Sequence, residues 1–390
     1  MKKIIIVNNN MKVGGVQKSL CNLLWELDRL REYDVTLALF SPVGAYMDNI
    51  PPSVHCVNVK GLFRYFGVSQ GEMRGIDKIK RGILAAICRI FSRNTAIRFM
   101  LMSQKTLPDT YDCAIAFLHN GRQRSFFGGV QEFVLYRIKA HKKITWLHDD
   151  YNKCGANNKR NRSLMEKFDK IAPCSNGCGD VFLSAVPEMA HKTMTVRNCN
   201  NISEIRALAQ EDTVCYDNSR INVLCAARFS PRKGIDRAIE AAQEMLKKDI
   251  PITLHILGSG VMEAELKSMV AERGLCDHVI FHGEQSNPYR YMKNADLFLL
   301  TSYHEAAPMV IDEAYILGVP VLTTRTNSSD EMITDRDCGW VCENDQTALN
   351  EMLYCVLKNK AALREKKEEL RRRVVDNAMA VNQFKNVIEG

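Results

Sequence analysis

Two doubly wound α/β domains are the fold class this sequence predicts, and three observations predict it. At 390 residues the chain is too long for one ordinary core. Short continuous apolar runs alternate with helical patterns, as in parallel sheets covered on both faces. The pattern also restarts: "INVLCAARFS" (221–230) opens a second series much as "MKKIIIVNNN" opens the first. The predicted domains are 1–205 and 206–390, two Rossmann-like units facing across a cleft. The last helix is left open to pack back on the first unit.

The elements follow in order. "KKIIIVNNN" reads as a buried strand, "MKVGGVQKS" as a glycine turn and "LCNLLWELDRL" as a helix. The four consecutive apolar residues of that strand fall short of the about 7–15 of a secretory leader. No run reaches the roughly 18 of a membrane span, so a cytoplasmic protein is expected. "YDVTLALF", "YDCAIAFL" (111–118) and "KKITWLH" (142–148) continue the first sheet. The stretch 195–220, containing "SEIRALAQEDTVCYDNSR", is polar and weakly patterned and marks the boundary. A helix over Arg237–Lys247, strand "ITLHILGSG", helix 262–273, strand "HVIFHG", helix "NPYRYMKNA" and strand "DLFLLTS" come next. A helix after Pro308 and the strand "VPVLTT" complete the second sheet.

Charge is local. The net charge is +8, and the segment from Lys60 to Lys105 holds ten basic and two acidic residues, which accounts for all of it. That pattern describes a basic face, and no nucleic-acid partner is expected. Read as one helix, 76–101 places Ile76, Ile79, Ile83, Ile87, Ile90, Ile97 and Leu101 on one stripe, with Lys78, Arg81, Arg89 and Arg93 opposite. Either the stripe packs on the sheet beneath a solvated basic back, or the basic segment rests on an anionic membrane. The fourteen cysteines contain no C-x-x-C, though Cys174 and Cys178 are four apart. They read as small reduced hydrophobes, and no metal is expected.

Four constellations carry candidate chemistry. In "TSYHEAAPMVIDEAYILGVPVLTT" (301–324), Pro308 reads as the first helical residue, with Gly318 and Pro320 at the helix end. Met309 and Val310 then offer N–H groups to a phosphate. Glu305 before the helix and Glu313 inside it suit sugar hydroxyls on either side of that phosphate; a loop charge and a solvated helix residue are the alternative. In "ARFSPRKG" (227–234), Arg228 and Lys233 follow a strand end, where ligands collect in open α/β sheets. "GGVQKS" lets backbone approach a ligand at Gly14 and Gly15, without the full dinucleotide or P-loop pattern. The turn "GSG" (258–260) is weaker still. His148 in "WLHDDY" ends another strand, where a lone histidine is more often structural, and no triad or metal cluster surrounds it.

The run SYHEAAPMVIDEAYILGVPV (302–321) resembles the E-x7-E signature of the retaining glycosyltransferases of family 4, which have the GT-B fold. "RFSPRKG", "HILGSG", "VIFHG" and "NADLFLLTS" stand in the family's order before it, and "GGVQKSL" opens the chain similarly. The resemblance covers most of 1–20 and 220–345 and is nearest to bacterial enzymes of capsule, O-antigen or other surface-polysaccharide assembly. It implies that Glu305 with the backbone of Ala306 and Ala307 holds the donor sugar, Met309 and Val310 the phosphate, and Glu313 the ribose. Arg228 and Lys233 would neutralise the diphosphate leaving group, Gly14 and Gly15 approach the phosphate or acceptor, and His148 stand near the transferred sugar. The implied partners are a nucleotide-sugar donor, with UDP preferred, and a glycan or polyprenyl-linked glycan acceptor; no cofactor or metal is implied. Ala306 and Ala227 stand where the family has glycines. A UDP-sugar 2-epimerase and a non-catalytic nucleotide-sugar-binding paralogue are the alternatives.

Overall fold

Burial on both sides decides the first strand. Ile4, Ile5, Ile6 and Val7 are all fully buried, so β1 (Lys2–Asn8) must be covered on each face, as a central parallel strand is. The computed structural model describes residues 1–212 and 214–390. The described residues fall into two units, Met1–Asn200 with Asn377–Gly390, and Asn201–Asp376.

In unit 1, β1 leads through α1 (Gly15–Leu30) to β2 (Tyr33–Leu39) and β3 (His55–Asn58). Helices α2 (Gly75–Ile90) and α3 (Arg93–Ser103) precede β4 (Thr110–Ala116), α4 (Val130–Arg137), β5 (Lys139–Leu147), α5 (Lys159–Met165), β6 (Lys170–Pro173) and α6 (Asn176–Ala185). The sheet order is β3-β2-β1-β4-β5-β6, with Ile4 opposite Val35 on one side and Cys113 on the other, both pairings parallel. Alternate residues of β1 feed two cores. Ile4 and Ile6 pack with Leu20, Leu24 and Leu27 of α1, while Ile5 and Val7 pack with Phe40, Phe63 and Phe133.

Unit 2 opens with α7 (Ile202–Leu208), then β7 (Ile221–Ala226), α8 (Ile235–Lys247), β8 (Ile252–Leu257), α9 (Glu263–Glu272), β9 (Val279–Gly283) and α10 (Tyr289–Met292). It continues through β10 (Leu297–Leu300), α11 (Met309–Ile316), β11 (Val321–Thr324), β12 (Gly339–Cys342), α12 (Gln346–Lys358) and α13 (Lys360–Arg372). The order β12-β11-β10-β7-β8-β9 repeats the topology of unit 1. The chain then returns: α14 (Ala378–Glu389) buries Phe384 edge-on against Tyr33 with ring centroids 5.9 Å apart. Asn377 fixes the return by exchanging two 2.9 Å hydrogen bonds with the Asn200 backbone.

Four sequence expectations change. The division falls after Asn200, five residues before the expected 205, and α7 forms within the polar boundary stretch; Thr213 of that stretch lies outside the described residues. The helix expected over 76–101 is two helices, because Ser92 caps α3 by accepting the Thr95 N–H at 3.3 Å. Only the α3 end of its stripe packs on the sheet, where Ile97 is buried with Leu101 against it; in α2, Ile76, Ile79, Ile83 and Ile90 are exposed, and Leu84 and Cys88 are buried instead. Arg93, expected on the basic back, is buried and donates to the carbonyls of Gly121 and Arg122 and to Asn161.

Candidate functional site

The strand order of unit 2 reverses between β7 and β10, and the loops leaving those two strands carry the candidate residues. After β7 the chain makes a short turn, Pro231–Lys233, and Gly234 takes a left-handed conformation with φ 59° before α8. A Cβ there would stand 2.3 Å from the Thr301 carbonyl, so only glycine allows the approach. Thr301, just past β10, donates its hydroxyl to the Gly234 carbonyl at 2.6 Å. The two loops are thereby pinned together. Lys233 Nζ reaches Glu305 Oε1 at 2.5 Å, and the Ser302 hydroxyl donates to the same oxygen at 2.7 Å.

The Glu305 loop is held from below. Arg237, buried in α8, donates to Asn344 at 2.7 Å, and its guanidinium lies 4.8 Å from the centre of the Tyr303 ring. Asn344 donates in turn to the carbonyls of Tyr303 and Arg325, and Thr324 donates to that of Ser302 at 2.8 Å. Behind the loop, Gly258 has φ 133° and sits where a Cβ would meet the Ala227 carbonyl at 2.0 Å, so the turn "GSG" packs against the start of the Arg228 loop.

Helix α11 starts on this platform. Pro308 is its N-cap with extended backbone, and Met309 is the first helical residue, one position later than expected. Its missing N–H costs nothing at a cap. The amides of Met309 and Val310 open the helix, where no preceding turn supplies carbonyls and the dipole favours an anion. Glu313 lies one turn on and is buried, 4% exposed, which removes the reading of a solvated helix carboxylate.

A second set belongs to unit 1. His148 follows β5, and its backbone N–H donates to Nδ1 of His119, which follows β4, at 3.4 Å. That leaves the His119 proton on Nε2, 3.6 Å from Cys154 Sγ. Burial pushes His119 down to about 4, against the nearby Asp149 charge, which acts to raise it. Burial and the neighbouring His119 push His148 down to about 3. Both rings are neutral at pH 7. The His148 ring lies 4.6 Å from Phe117, and its Nε2 is buried without a hydrogen-bond partner. The two histidines, Asp149, Cys154 and Val16 of α1 line a cavity of about 260 Å³. Asn120, between the lining residues His119 and Gly121, donates to the buried Glu132 at 3.0 and 3.1 Å and accepts from the Gly129 N–H.

The structure thus brings Lys233 to Glu305, which the sequence reading had given to different parts of a ligand. Ala306 and Ala307 follow on the same loop and lead into Met309, Val310 and Glu313. Arg228 is exposed on the loop before Lys233. Gly15 opens α1 beside Val16, with open space around its α-carbon, and Gly14 caps that helix in extended backbone. His119 and Arg237 were missed. His119 had a usable signal, a histidine just past a strand end; Arg237 had none.

Residues 216–380 match the family Glycosyl transferases group 1. The amylovoran biosynthesis glycosyltransferase AmsK of Erwinia amylovora is 31% identical over 150 residues, covering 36% of this chain and 37% of AmsK. The aligned stretch thus spans little more than a third of that relative. The crystal structure of WaaG, a glycosyltransferase involved in lipopolysaccharide biosynthesis, superposes with TM-score 0.65 at 17% identity, covering 99% of this chain and 100% of WaaG. The structure of Anabaena HepE in complex with UDP gives TM-score 0.66 at 18% identity, covering 100% and 99%. The fold is GT-B.

Proposed function

We propose that this GT-B chain, whose residues 216–380 match the group 1 glycosyl transferases, moves a sugar from a nucleoside diphosphate donor to a glycan or lipid-linked glycan in surface-polysaccharide synthesis. The observation that carries it is the platform where β7 and β10 meet: a lysine, a carboxylate beside it, an open helix N-terminus and a second, buried carboxylate. That sequence of groups matches a nucleotide sugar part for part. Glu313 takes ribose hydroxyls, the Met309 and Val310 amides take phosphate, and Glu305 with the Ala306 and Ala307 backbone takes the sugar. Lys233 and Arg228 stabilise the diphosphate as it departs, the task a metal performs in other transferases.

UDP is the preferred carrier, and HepE, which shares the fold, binds UDP. On this reading the enzyme is a retaining transferase of family 4, and the donor's own phosphate oxygen takes the acceptor proton. By the family resemblance His148 is the histidine near the transferred sugar, and Gly14 and Gly15 form the turn that approaches the phosphate or acceptor. Incubating the protein with UDP-sugars and a polyprenyl-glycan extract in EDTA tests this. An α-linked product from an α-linked donor is expected at undiminished rate; a strict requirement for divalent metal or an inverted product overturns it. The protein would work in the cytoplasm at the inner face of the membrane, through a surface within 60–105.

A further inference from the structure

The apolar face of α2 has no cover. At 3.6 residues per turn, Ile76, Ile79, Ile83, Ile87 and Ile90 fall within an arc of about 80°. Four of them are 56–68% exposed. Phe91, at the α2–α3 junction, and Phe99 and Met102 of α3 are exposed as well. Among the described residues, seven of the seventeen large exposed hydrophobics thus lie between 76 and 102.

The helix is nonetheless firmly placed, because its other edge is tied down. Asp77 accepts from Arg64 at 2.7 Å and from the Tyr65 hydroxyl at 2.8 Å. Arg81 donates to the Val68 carbonyl at 2.9 Å and lies over the Phe126 ring. A fixed helix therefore presents its isoleucines outward.

Cations border the stripe. By helical angle, Lys80 lies beside the α2 stripe and Arg98 beside Phe99 and Met102 of α3, while Lys78 and Arg89 lie further round α2; Lys105 is exposed nearby. Both acidic residues of the segment are occupied, Asp77 as above and Glu72 by Lys12. The surface is apolar in the middle and positive at the edges.

We propose that this face of α2 and α3 docks on an anionic bilayer, with the isoleucines, Phe91 and Phe99 entering the headgroup boundary and the bordering cations meeting lipid phosphates. The surface stands independently of the transferase reading. At 16 residues α2 is too short to span, and among the described residues no helix is long and apolar enough to cross a membrane. Self-association through this face would set its bordering cations against those of a second copy, which disfavours it.

Vesicle flotation of the full chain decides the matter, using phosphatidylcholine alone or mixed with about one-third phosphatidylglycerol. Binding should be at least about tenfold stronger to the anionic vesicles, with each of Lys80→Glu and Arg98→Glu weakening it about fivefold or more. Ile79→Ser with Ile83→Ser should reduce binding by about a hundredfold, leaving a remnant that salt removes. Both isoleucines are exposed, so thermal unfolding of this variant should match the wild type and shows that lost binding is not lost folding. No binding to either vesicle, equal binding to both, or unchanged binding of the isoleucine variant overturns the proposal. So does a concentration-dependent dimer, seen by sedimentation, that the same variant abolishes.

Discussion

Replacing Lys233 with alanine separates two things the Lys233–Glu305 pair could do. At 2.5 Å and an effective dielectric of about 20, the Coulomb attraction is about 7 kcal/mol before desolvation. The lysine side chain is 30% exposed and the glutamate 11%, so screening and desolvation reduce the net to about 1–3 kcal/mol. Lys233→Ala leaves Glu305 with the Ser302 hydroxyl alone among the contacts described above. Unit 2 should lose that stability, a fall of about 2–4 °C in melting temperature for each kcal/mol. If Lys233 also neutralises the leaving diphosphate, turnover falls by about 10²–10³.

The double variant Lys233→Ala, Glu305→Gln isolates the stability part. Removing the stranded carboxylate should restore most of the melting temperature, since the remaining amide needs no counter-ion. Turnover falls in any variant that lacks Glu305, so the catalytic part is read in Lys233→Ala alone, assayed well below its melting temperature. A lysine that served only to hold the loop leaves turnover near normal there, and that result refutes the assignment.

Two further outcomes follow from the same geometry. Glu313→Gln should weaken free UDP as much as UDP-sugar in calorimetric titration, whereas Glu305→Gln should leave UDP affinity within about threefold and lose sugar-dependent turnover; equal losses on free UDP would contradict the division. His119 and His148 bind protons less readily folded than unfolded, so stability is complete above about pH 6.5 and is lost as pH falls toward about 4 and 3. The loss is about 1.4 kcal/mol per pKa unit of difference, and melts of His119→Gln from pH 7 to 4 should show a shallower decline than the wild type; an identical decline would exclude this histidine as a source.

Much of the fold was legible because a buried parallel strand has few disguises. Runs such as Ile4–Val7 and Leu297–Leu300 are continuous and apolar, and their spacing leaves room for one helix each. The short edge strands β3 and β12 were not read, since a four-residue strand buried on little of its length has no distinctive pattern. The isoleucine stripe shows the opposite limit. Periodicity records that one side of a helix is apolar, and it says nothing about whether another element covers that side. The Lys233–Glu305 contact was hidden for a third reason. It depends on β7 lying beside β10, a neighbour relation set by sheet order across 72 residues of chain.

The shared strand order also explains why charge is distributed as it is. In each unit the order reverses beside the first strand, at β1–β4 and at β7–β10, and that is where open sheets place ligands. Unit 2 fills its reversal with a lysine, two carboxylates and a helix start, groups suited to a dianion and its hydroxyls. Unit 1 fills its own with Gly14 and Gly15 after β1 and with His119 after β4, beside His148. Those imidazoles are held neutral by burial, and the orphaned Nε2 of His148 can hydrogen-bond a hydroxyl without adding charge. The same topology therefore supports two different tasks. On the proposed reading unit 2 grips the diphosphate by charge, whereas the unit 1 cavity offers hydrogen bonds without charge. A cation at the position of His148 would draw anions into that cavity, and burial of the ring prevents it.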